Sequence, residues 1–480
     1  MIFFTRYSII KINRLNYDTI FVQSNGEREM NEKLNICLLN DSFPPLIDGV
    51  ATAVKNYATI IQRELGNATV VTPAYPGAED NYDFPVVRYS SLATEKQLGY
   101  RAGYPFSASK LEAMKNSMFD VIHSHCPFAS TVFARNLKEK NGAPLIMTYH
   151  TKFNEDIRRV IDNPLLEKQI TKFVVQNISV CDEVWTVSRG AGENLRSIGY
   201  EGNYIIMPNG VDFPKGRASA EDTAELRAAY GIEPDMPLFL FVGRLFWYKG
   251  FKVILESLKY LNESGTDFRM MIVGDGGDAE DIKAEAEKLG LTDKLRFAGA
   301  INDRNELRVY YTAADLFFFP SVYDTNGIVV REAAACGLPS LLIKGSCAAE
   351  DFTNYQNAIL TDNDPFAISK ELIHAASHLD SLKVMGEHAM NDVYLSWEDA
   401  VKNAFNRYYV VMQNYRQGIT QSRETKTQEI LYSSISSITN SIQKVRSITA
   451  SAKRKTIKTG KTITQAISSN IAKKDKDNKN

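Results

Sequence analysis

Short apolar runs alternate with longer amphipathic stretches along most of this chain. From Leu34 onward, each run is followed by a stretch with apolar residues at helical spacing, such as Ala53–Leu65. The first series of runs reads LNICLL, ATVVTP, DVIHS, PLIMTY, DEVWTV and YIIMP. Alternation of this kind is typical of a parallel sheet with helices on both of its faces. The pattern therefore predicts an α/β domain.

A second series of the same kind follows a segment rich in turn-forming residues. The segment Pro208–Asp222 predicts a linker, and the runs after it read PLFLFVG, RMMIVG, KLRFAG, DLFFFPS, PSLLI and AILTD. Two doubly wound domains joined in this way enclose a cleft at the carboxyl ends of both sheets. We predict an amino-terminal Rossmann-like domain at residues 34–212 and a second Rossmann-like domain at residues 213–395.

The ends of the chain depart from this pattern. Residues 1–33 have no clear period, and two explanations stay open: a disordered extension, or a leader upstream of a true start at Met30, which we favour slightly. Residues 396–416 predict a helix that packs back on the amino-terminal domain. Residues 417–480 form a Ser/Thr/Lys-rich tail with apolar or small residues at helical spacing. These residues are Leu431, Ile435, Ile438, Ile442, Val445, Thr449 and Ala452. A basic amphipathic helix, a disordered tail and a weak coiled coil all fit this pattern.

Composition and charge narrow the class of protein. The chain has 480 residues, 44% hydrophobic and 24% charged, which suits two soluble domains better than one core. The net charge is -1, but residues 441–480 hold eleven Lys/Arg and two Asp, so the tail carries +9 and the remainder -10. This asymmetry predicts a partner for the tail, such as an anionic membrane surface. We expect no nucleic-acid partner.

The cysteines and the amino-terminal sequence indicate the cellular compartment of the protein. The five cysteines are scattered and form no C-x-x-C pair, so we interpret them as reduced core residues rather than disulfides or metal ligands. No run of 18 apolar residues is present, and Arg6, Lys11 and Arg14 interrupt any signal-peptide core. We expect a cytoplasmic protein, with peripheral association at the inner membrane face as a further possibility.

Two cations follow a strand of the second domain. In VGRLFWYKG, Arg244 and Lys249 come after a predicted strand and a glycine, at the start of a helix. A planar guanidinium and an ammonium at the carboxyl end of a strand suit a diphosphate. The alternative interpretation is a pair of solvated surface cations.

Two acids surround a predicted helix start in YDTNGIVVREAAACG. Thr325-Asn326-Gly327 is typical of a turn and N-cap, so Asp324 precedes the helix and Glu332 lies in its first turns. Free backbone N–H groups at such a start favour an anion. Asp48-Gly49 opens a helix of the first domain similarly. There Gly49 either lets a ligand approach the amides or is an ordinary N-cap.

Three histidines follow strands of the first domain and therefore face the cleft. His123 and His125 lie in DVIHSHCP, and His150 lies in IMTYHTKF. We interpret His123 as a structural residue and His150 as a residue of the cleft. A metal site is disfavoured because no third ligand with suitable spacing accompanies the His-x-His pair.

Two further motifs have competing interpretations. Gly274, Gly276 and Ala279 match the G-x-G-x-x-A dinucleotide fingerprint, but Asp275 and Asp278 would repel a pyrophosphate there. We therefore favour a tight turn over a nicotinamide cofactor site. The D-x-D at residues 362–364 is interpreted as a solvated loop.

Taken in order, these motifs resemble a known family. SFPPLIDGV, TYHT, MPNGVD, VGRLFWYKG, IVGDG and FFPSVYDTNGIVVREAAACGLP are similar to those of the retaining family-4 glycosyltransferases of the GT-B fold, from about Leu34 to Tyr415. The resemblance implies a hexosyltransferase that uses a nucleotide-diphosphate sugar. That donor, a UDP- or GDP-sugar, binds mainly to the second domain, and the acceptor enters from the first.

The resemblance also implies a role for each candidate residue. Arg244 and Lys249 hold the diphosphate, while Glu332 hydrogen-bonds the ribose and Asp324 contacts the donor sugar. His150 lies against the sugar near the reacting carbon. The turn at Asn326, with the amides of Gly327 and Ile328, meets sugar and phosphate, and Gly49 admits the diphosphate from the other side.

Two departures from the family pattern affect the donor site. Asp324 is one methylene shorter than the usual glutamate, which leaves the identity of the hexose open. Asp48 replaces the first glycine of a common Gly-Gly pair, which puts the donor contact from that loop in doubt. We expect an active enzyme that needs no metal or cofactor and forms no covalent intermediate with a side chain.

The sequence leaves more than one acceptor and more than one class of function open. TYHTKF is similar to the diacylglycerol glucosyltransferases of this family, which suggests a membrane lipid acceptor, and a soluble or polysaccharide acceptor is the alternative. Other functions left open are a nicotinamide-dependent oxidoreductase, a GT-B epimerase and a catalytically silent membrane-docking scaffold.

Overall fold

The computed structural model describes residues 33–46, 48–94, 101–114, 116–160 and 162–422. The predicted amino-terminal extension and most of the basic tail lie outside these residues. Two parallel sheets, each covered by helices, form two domains. This architecture confirms the predicted α/β class with two Rossmann-like domains.

The amino-terminal sheet has seven parallel strands in the order β3-β2-β1-β6-β7-β8-β9. In its centre, Leu38 of the first strand lies between Val70 and His123 of its two neighbours. A separate antiparallel pair, β4 and β5, lies beside the sheet. The strands are β1 (Leu34–Leu39), β2 (Gly66–Pro73), β3 (Val86–Tyr89), β4 (Ser91–Leu92), β5 (Ala102–Gly103), β6 (Val121–Ser124), β7 (Leu145–Tyr149), β8 (Glu183–Thr186) and β9 (Ile205–Ile206).

Among the described residues, helices connect the strands of this domain, and side-chain caps set several of the helix starts. Asp48, Asn163 and Ser188 each accept backbone N–H groups of the first turn. The helices are α1 (Gly49–Ile60, continued by a π-helical turn at Ile61–Leu65), α2 (Ala108–Ala113), α3 (Ala129–Asn141), α4 (Phe153–Val160), α5 (Pro164–Ser179) and α6 (Arg189–Ser197). The first helix thus begins at Gly49, as Asp48-Gly49 predicted, and includes most of the helical stretch noted from Ala53 onward.

The second sheet has six parallel strands in the order β12-β11-β10-β13-β14-β15. Its phenylalanine-rich strands lie in one large apolar core. The strands are β10 (Leu238–Val242), β11 (Arg269–Val273), β12 (Leu295–Gly299), β13 (Leu316–Phe319), β14 (Ser340–Ile343) and β15 (Ala358–Thr361). The helices are α7 (Ala220–Ala229), α8 (Phe251–Glu263), α9 (Ala279–Lys288), α10 (Arg304–Ala313), α11 (Ile328–Ala335), α12 (Pro365–Ala376), α13 (Leu379–Asp392) and α14 (Trp397–Arg416).

The last helix, α14, belongs to the core of the amino-terminal domain. Its buried face includes Trp397, Phe405 and Tyr408, which share an apolar cluster with β1 and α1. Arg407 donates to both carboxylate oxygens of buried Glu183, over 2.9 and 2.6 Å. The chain therefore returns from the second domain to complete the first.

The two crossings between the domains lie side by side. Val211 pairs with Ser396 in a parallel bridge, and its N–H donates to the carbonyl of Leu395 over 3.0 Å. Gly210 is required here, because a Cβ at this position would lie 2.5 Å from the backbone of Trp397. The two connections between the domains are therefore held in direct backbone contact.

All five cysteines are unpaired thiols, and four of them are buried. No helix within the described ranges is both long and apolar enough to cross a bilayer.

Candidate functional site

The loop after β10 carries the two predicted cations. It runs from Gly243 through exposed Arg244 to a 3₁₀ turn at Trp247–Lys249. Gly250 then starts α8 with φ of 93°, and a Cβ there would lie 3.1 Å from the carbonyl oxygen of Pro320. Glycine thus lets this loop pack against the loop that follows β13.

Lys249 and Asp324 meet where these two loops pack together. The ammonium of Lys249 lies 2.5 Å from Oδ1 of Asp324, and Ser321 donates to Oδ2 over 2.5 Å. The Lys249 and Asp324 side chains are 13% and 20% exposed. The structure therefore brings a predicted phosphate ligand and a predicted sugar ligand into direct contact.

An aromatic layer supports both cations. Arg244 donates to the hydroxyl of Tyr248 over 3.1 Å and lies over the ring of Phe246. Tyr248 packs edge-on against Tyr323, and the ammonium of Lys249 lies within 6 Å of both tyrosine rings. This layer restricts where the two positive charges lie.

The turn before α11 is built around Gly327. Gly327 is the N-cap with φ of 61°, and a Cβ would lie 2.9 Å from that of Ala348. Buried Asn326 donates to the carbonyl of Val187 in the other domain over 2.8 Å, while its own Oδ1 has no partner. Ile328 begins the helix, so the free N–H groups of its first turn lie beside the Asp324 loop.

Glu332 lies further along α11 in a buried position. It is 5% exposed, and its two oxygens accept from Arg304 over 2.6 Å and from Tyr311 over 2.9 Å. The sequence interpretation missed both partners. Arg304 follows the carboxyl end of β12, so the rule that selected Arg244 and His150 could have selected it as well.

In the amino-terminal domain, Asp48 and not Gly49 is the N-cap of α1. Its Oδ1 accepts from the N–H groups of Val50 and Ala51, over 2.8 and 2.7 Å. The first amides of this helix are therefore already bonded to a carboxylate. Gly49 is exposed and, among the described residues, stands apart from the contacts that join the other candidates.

The three histidines form a buried cluster in the amino-terminal domain, at the strand ends that face the cleft. His123 lies between the hydroxyls of Tyr408 and Thr148, each 2.7 Å from a ring nitrogen. His125 and His150 share a hydrogen bond of 2.9 Å between Nδ1 and Nε2. Burial lowers the pKa of His123 and His125 well below 6.5 and that of His150 to about 3, so the rings are neutral.

Several contacts cross the cleft close to these groups. Thr325 donates to the carbonyl of His150 over 2.6 Å, and Tyr323 donates to Asp156 over 2.7 Å. The Glu350 carboxylate accepts from the N–H groups of Arg189 and Gly190 at the start of α6, over 2.6 and 2.5 Å. Predicted residues of both domains are thereby held together.

The G-x-G-x-x-A motif serves backbone packing. A Cβ at Gly274 would lie 1.9 Å from the carbonyl oxygen of Gly243, and one at Gly276 would lie 2.3 Å from that of Leu245. Asp278 accepts from the N–H of Trp247 over 2.9 Å. This turn therefore supports the loop that carries Arg244, in agreement with the tight-turn interpretation.

The D-x-D motif also has a local role. Asp364 caps α12, and exposed Asp362 lies 3.5 Å from Lys344. Within the part of the chain that the structure describes, no group of three or more His, Cys, Asp or Glu side chains could hold a metal ion.

Two doubly wound domains, with cations and acids on one wall of the cleft and buried histidines on the other, define a GT-B transferase. Comparisons with known proteins agree. Residues 47–214 match the model of Glycosyltransferase Family 4, and residues 222–392 match that of Glycosyl transferases group 1. The chain belongs to the glycosyltransferases that combine these two domains.

Three similar proteins illustrate the range of the family. Alpha-monoglucosyldiacylglycerol synthase of Streptococcus pneumoniae is 24% identical over 64% of this chain and 70% of its own. A D-inositol 3-phosphate glycosyltransferase of Catenulispora acidiphila is 28% identical over 61% of this chain and 73% of its own. The structure of Anabaena HepE in complex with UDP aligns with a TM-score of 0.60 and 18% identity, covering 80% and 99% of the two chains.

Proposed function

We propose that this glycosyltransferase moves a hexose from a UDP- or GDP-sugar to a hydroxyl acceptor with retention of configuration. The observation that carries the proposal is the contact between Lys249 and Asp324 beside the start of α11. The contact supports the proposal because it brings an ammonium, which can bind phosphate, and a carboxylate, which can bind sugar hydroxyls, to the same helix start.

The diphosphate lies, in this proposal, between Arg244, Lys249 and the amides of Gly327 and Ile328. Departure of the nucleoside diphosphate leaves growing negative charge on a phosphate oxygen, and fixed cations stabilise that charge without reorganising. Arg244 offers a planar fork and Lys249 a point charge. These two residues supply the positive charge for the reaction, so no metal is invoked.

The remaining candidates position the two ends of the donor. Glu332 accepts hydrogen bonds from the ribose hydroxyls, and Asp324 accepts from hydroxyls of the hexose once Lys249 binds phosphate. Asn326 orders the turn between them, and Gly49 approaches the diphosphate from the opposite wall. His150 contacts the hexose near the reacting carbon.

Retention follows if the acceptor attacks the face that the leaving group vacates. The bond between the anomeric carbon and the phosphate oxygen breaks, a bond to the acceptor oxygen forms on the same face, and the acceptor proton passes to the departing phosphate. Contacts across the cleft, such as that of Thr325 with His150, exclude water from this step.

A membrane lipid is the acceptor that we favour. One relative, from Streptococcus pneumoniae, is named for a glucosyldiacylglycerol product, and the tail beyond Ser422 has the basic amphipathic pattern that suits an anionic bilayer. The Catenulispora relative is named for inositol phosphate, so a soluble acceptor is the alternative. A UDP donor is supported by the UDP-bound structure of HepE.

A thermal-shift panel tests the donor. UDP, GDP, ADP, UDP-glucose, UDP-N-acetylglucosamine, GDP-mannose and NADH are added to the wild type, to Arg244→Ala and to a control, Arg196→Ala, whose arginine lies on α6. A nucleotide that binds only the folded state stabilises it by about 2.7 kcal/mol at a hundred times Kd. We expect stabilisation by one nucleoside diphosphate, lost in Arg244→Ala and kept in Arg196→Ala. Stabilisation by NADH alone would replace the proposal with an oxidoreductase.

Turnover with vesicles tests the acceptor and the tail. The matching sugar nucleotide is incubated with diacylglycerol in anionic or neutral vesicles, or with inositol phosphate, and the product anomer is read by NMR. A variant ending at Ser422 keeps the contacts of Thr420 and Ser422 with the amino-terminal domain. We expect it to lose activity on anionic vesicles while still binding the nucleotide. Conversion of UDP-N-acetylglucosamine without any acceptor would indicate an epimerase. The absence of all turnover would indicate a docking scaffold.

A further inference from the structure

The aromatic ring of Phe213 contacts both of the residues that bond Glu332. The Cζ atom of Arg304 lies 4.1 Å from the centroid of this ring, and Tyr311 packs edge-on against it with centroids 5.7 Å apart. Arg304 and Tyr311 donate to the two carboxylate oxygens of Glu332, over 2.6 and 2.9 Å. Phe213 itself is buried, with 2% exposure. One buried ring thus contacts both side chains that donate to a candidate ligand-binding acid.

One face of α10 carries these contacts. Arg304, Arg308 and Tyr311 are spaced by four and three residues, so they lie on the same side of the helix. Arg308 also lies over the Phe213 ring, 5.3 Å from its centroid. Its guanidinium donates to two carbonyl oxygens within residues 214–216, over 3.0 and 3.1 Å. This face of α10 therefore holds the segment that begins with Phe213.

Phe213 belongs to the connection between the two domains. It follows by two residues Val211, which pairs with Ser396 of the second crossing. The neighbouring residue, Asp212, accepts a hydrogen bond from Asn56 of α1 over 3.0 Å. The position of the Phe213 ring is therefore set by contacts with both domains.

Arg304 depends on this ring more than Tyr311 does. The Arg304 side chain is 41% exposed, its Nε is buried without a hydrogen-bond partner, and within the described part of the chain its guanidinium donates to Glu332. A cation over an aromatic face is attracted by the negative charge of that face, so the ring restricts a long and flexible side chain. Tyr311 is fully buried and also packs against Phe317, with centroids 5.7 Å apart.

The two donors determine what Glu332 offers to a ligand. A carboxylate has about four lone-pair positions on its two oxygens, and Arg304 and Tyr311 use one position on each oxygen. Burial and the nearby Glu332 carboxylate raise the pKa of Tyr311 well above 10, so its hydroxyl keeps its proton and donates. The guanidinium supplies the counter-charge that a buried carboxylate requires. Each oxygen retains acceptor capacity, which suits two neighbouring hydroxyl groups.

We propose that Phe213 is a positioning residue, which holds Arg304 where it orients Glu332 and so determines how well the site distinguishes a ribose from a 2′-deoxyribose. This inference rests on the proposed function, in which Glu332 accepts hydrogen bonds from the ribose hydroxyls. Phe213 itself contacts no ligand and acts through the guanidinium. A residue of the connection between the domains thus controls the recognition of the nucleoside.

Isothermal titration with matched pairs of nucleotides tests the inference. UDP, 2′-deoxy-UDP, GDP and 2′-deoxy-GDP are titrated into the full-length wild type and Phe213→Leu. We expect the wild type to bind one ribose form at least about tenfold more tightly than its deoxy form, because a site that bonds a hydroxyl rejects a ligand that lacks it. In Phe213→Leu this preference should fall below about threefold, while the affinity for the deoxy form changes little. An unchanged preference in Phe213→Leu would overturn the inference.

Phe268→Leu is the matched control for a loss of packing. Phe268 is a fully buried phenylalanine of the same apolar core, and its ring stacks on that of Phe239. It lies just before β11, at the end of the sheet remote from the cleft. Urea unfolding should show a similar loss of stability for the two variants, while the preference for ribose persists in Phe268→Leu. An equal loss of preference in Phe268→Leu would mean that general destabilisation causes the effect, and the positioning role would be rejected.

A double variant tests whether Phe213 acts through Arg304. Arg304→Leu alone should reduce the preference for ribose at least as much as Phe213→Leu does. Adding Phe213→Leu to Arg304→Leu should then change the preference by less than about twofold, because two residues that act through one contact are not additive. Effects of the two changes that multiply would overturn the route through the guanidinium.

The wild-type titrations separate this inference from the proposed function. If the wild type binds neither UDP nor GDP, the proposed function is rejected and the inference with it. If it binds one of them without any preference for ribose, the ribose contact of Glu332 and the inference are rejected, and a nucleotide donor is retained. A preference that survives in Phe213→Leu rejects the positioning role alone.

Discussion

Lys249 and Asp324 are both largely buried, and each provides the counter-charge of the other. The contact is short, and the carboxylate is held from its other side by Ser321. In the proposed function, donor binding exchanges one anionic partner of Lys249, the Asp324 carboxylate, for another, the diphosphate. The proposal therefore gives Asp324 opposite effects on phosphate binding and on sugar recognition.

We predict that Asp324→Asn separates these two effects. Loss of the carboxylate removes a competitor for Lys249, so the affinity for the free nucleoside diphosphate should be kept or rise a few-fold. The charged hydrogen bonds to the hexose are lost, so kcat should fall about a hundredfold, or about 2.7 kcal/mol. Isothermal titration with the diphosphate and initial rates with the sugar nucleotide measure the two effects. Weaker diphosphate binding together with normal turnover would contradict this division.

The buried histidines predict a stability that depends on pH. Desolvation lowers the pKa of His150 from 6.5 to about 3. Below pH 6.5 the unfolded chain therefore binds a proton that the folded chain does not. The stability from this residue is complete above pH 6.5 and is lost as the pH falls towards 3.

We predict that His150→Asn flattens this dependence. Between about pH 6 and 4 the free energy of unfolding should fall more steeply in the wild type than in the variant. One proton bound only by the unfolded chain adds up to about 1.4 kcal/mol per pH unit to this slope. Urea unfolding of both proteins at pH 8, 6, 5 and 4 gives the comparison. Parallel curves across this range would show that His150 does not stay neutral in the folded protein.

The residues of the site could be predicted to different extents. Asp324, Lys249 and His150 lie near strand ends or helix starts. Such positions can be recognised from a single amino-acid sequence. Arg304 and Tyr311 were missed because their role depends on Glu332, 28 and 21 residues away in sequence, and only the folded domain brings them together. The hydrogen bond between His125 and His150 crosses from one strand end to the next, which no spacing records.

At the scale of elements, α14 shows how a distant segment completes a domain. Its apolar face fills the core beside β1 and α1, and an ion pair joins its Arg407 to the buried carboxylate of Glu183. Trp185 also donates to Glu183 over 2.6 Å. The carboxylate is thus bonded on several sides, and within the described part of the chain Arg407 is its counter-charge.

We predict that Arg407→Leu destabilises the amino-terminal domain by about 3–5 kcal/mol, because it leaves Glu183 buried without a counter-charge. Lys402→Ala on the same helix is the matched control. It removes an exposed pair with Glu64, and such pairs contribute less than about 1 kcal/mol. Urea unfolding followed by tryptophan fluorescence compares the variants. Equal losses in the two would show that the burial of Glu183 has no energetic consequence.

The elements themselves were largely predictable, because apolar runs of buried parallel strands differ from helical stretches in period and length. One exception has a physical cause. The strand Val86–Tyr89 lies at the sheet edge and was missed, since its short run VVRY contains an arginine. The start of the first helix at Gly49 was predicted from Asp48-Gly49, and Asp48 caps it there.

At the scale of the molecule, loops hold the two walls of the cleft together. One of these contacts involves Glu350. Its carboxylate accepts hydrogen bonds from two N–H groups at a helix start of the other domain. Such contacts were not predicted from the sequence, since they depend on how two separately folded units meet. These contacts join loops of the two domains around the candidate site.

We predict that Glu350→Ala shifts the protein towards a more open arrangement. The radius of gyration from X-ray scattering should rise, and KM for the donor should rise about fivefold with little change in kcat. Glu371→Ala is the control, because Glu371 bonds Tyr355 within the second domain. Identical scattering from the two variants would mean that Glu350 does not hold the domains together.

The return of α14 to the first domain has a consequence for how the protein is made. A ribosome that has finished the last strand of the first sheet, which ends at Ile206, must still add roughly 190 residues before it reaches Trp397, where α14 begins. At about 5–20 residues per second this takes on the order of 10–40 s. During that interval the nascent first domain exposes the apolar surface that Trp397, Phe405 and Tyr408 later cover. The second domain is therefore complete before the first, and the nascent chain is most open to chaperones and to aggregation during this wait.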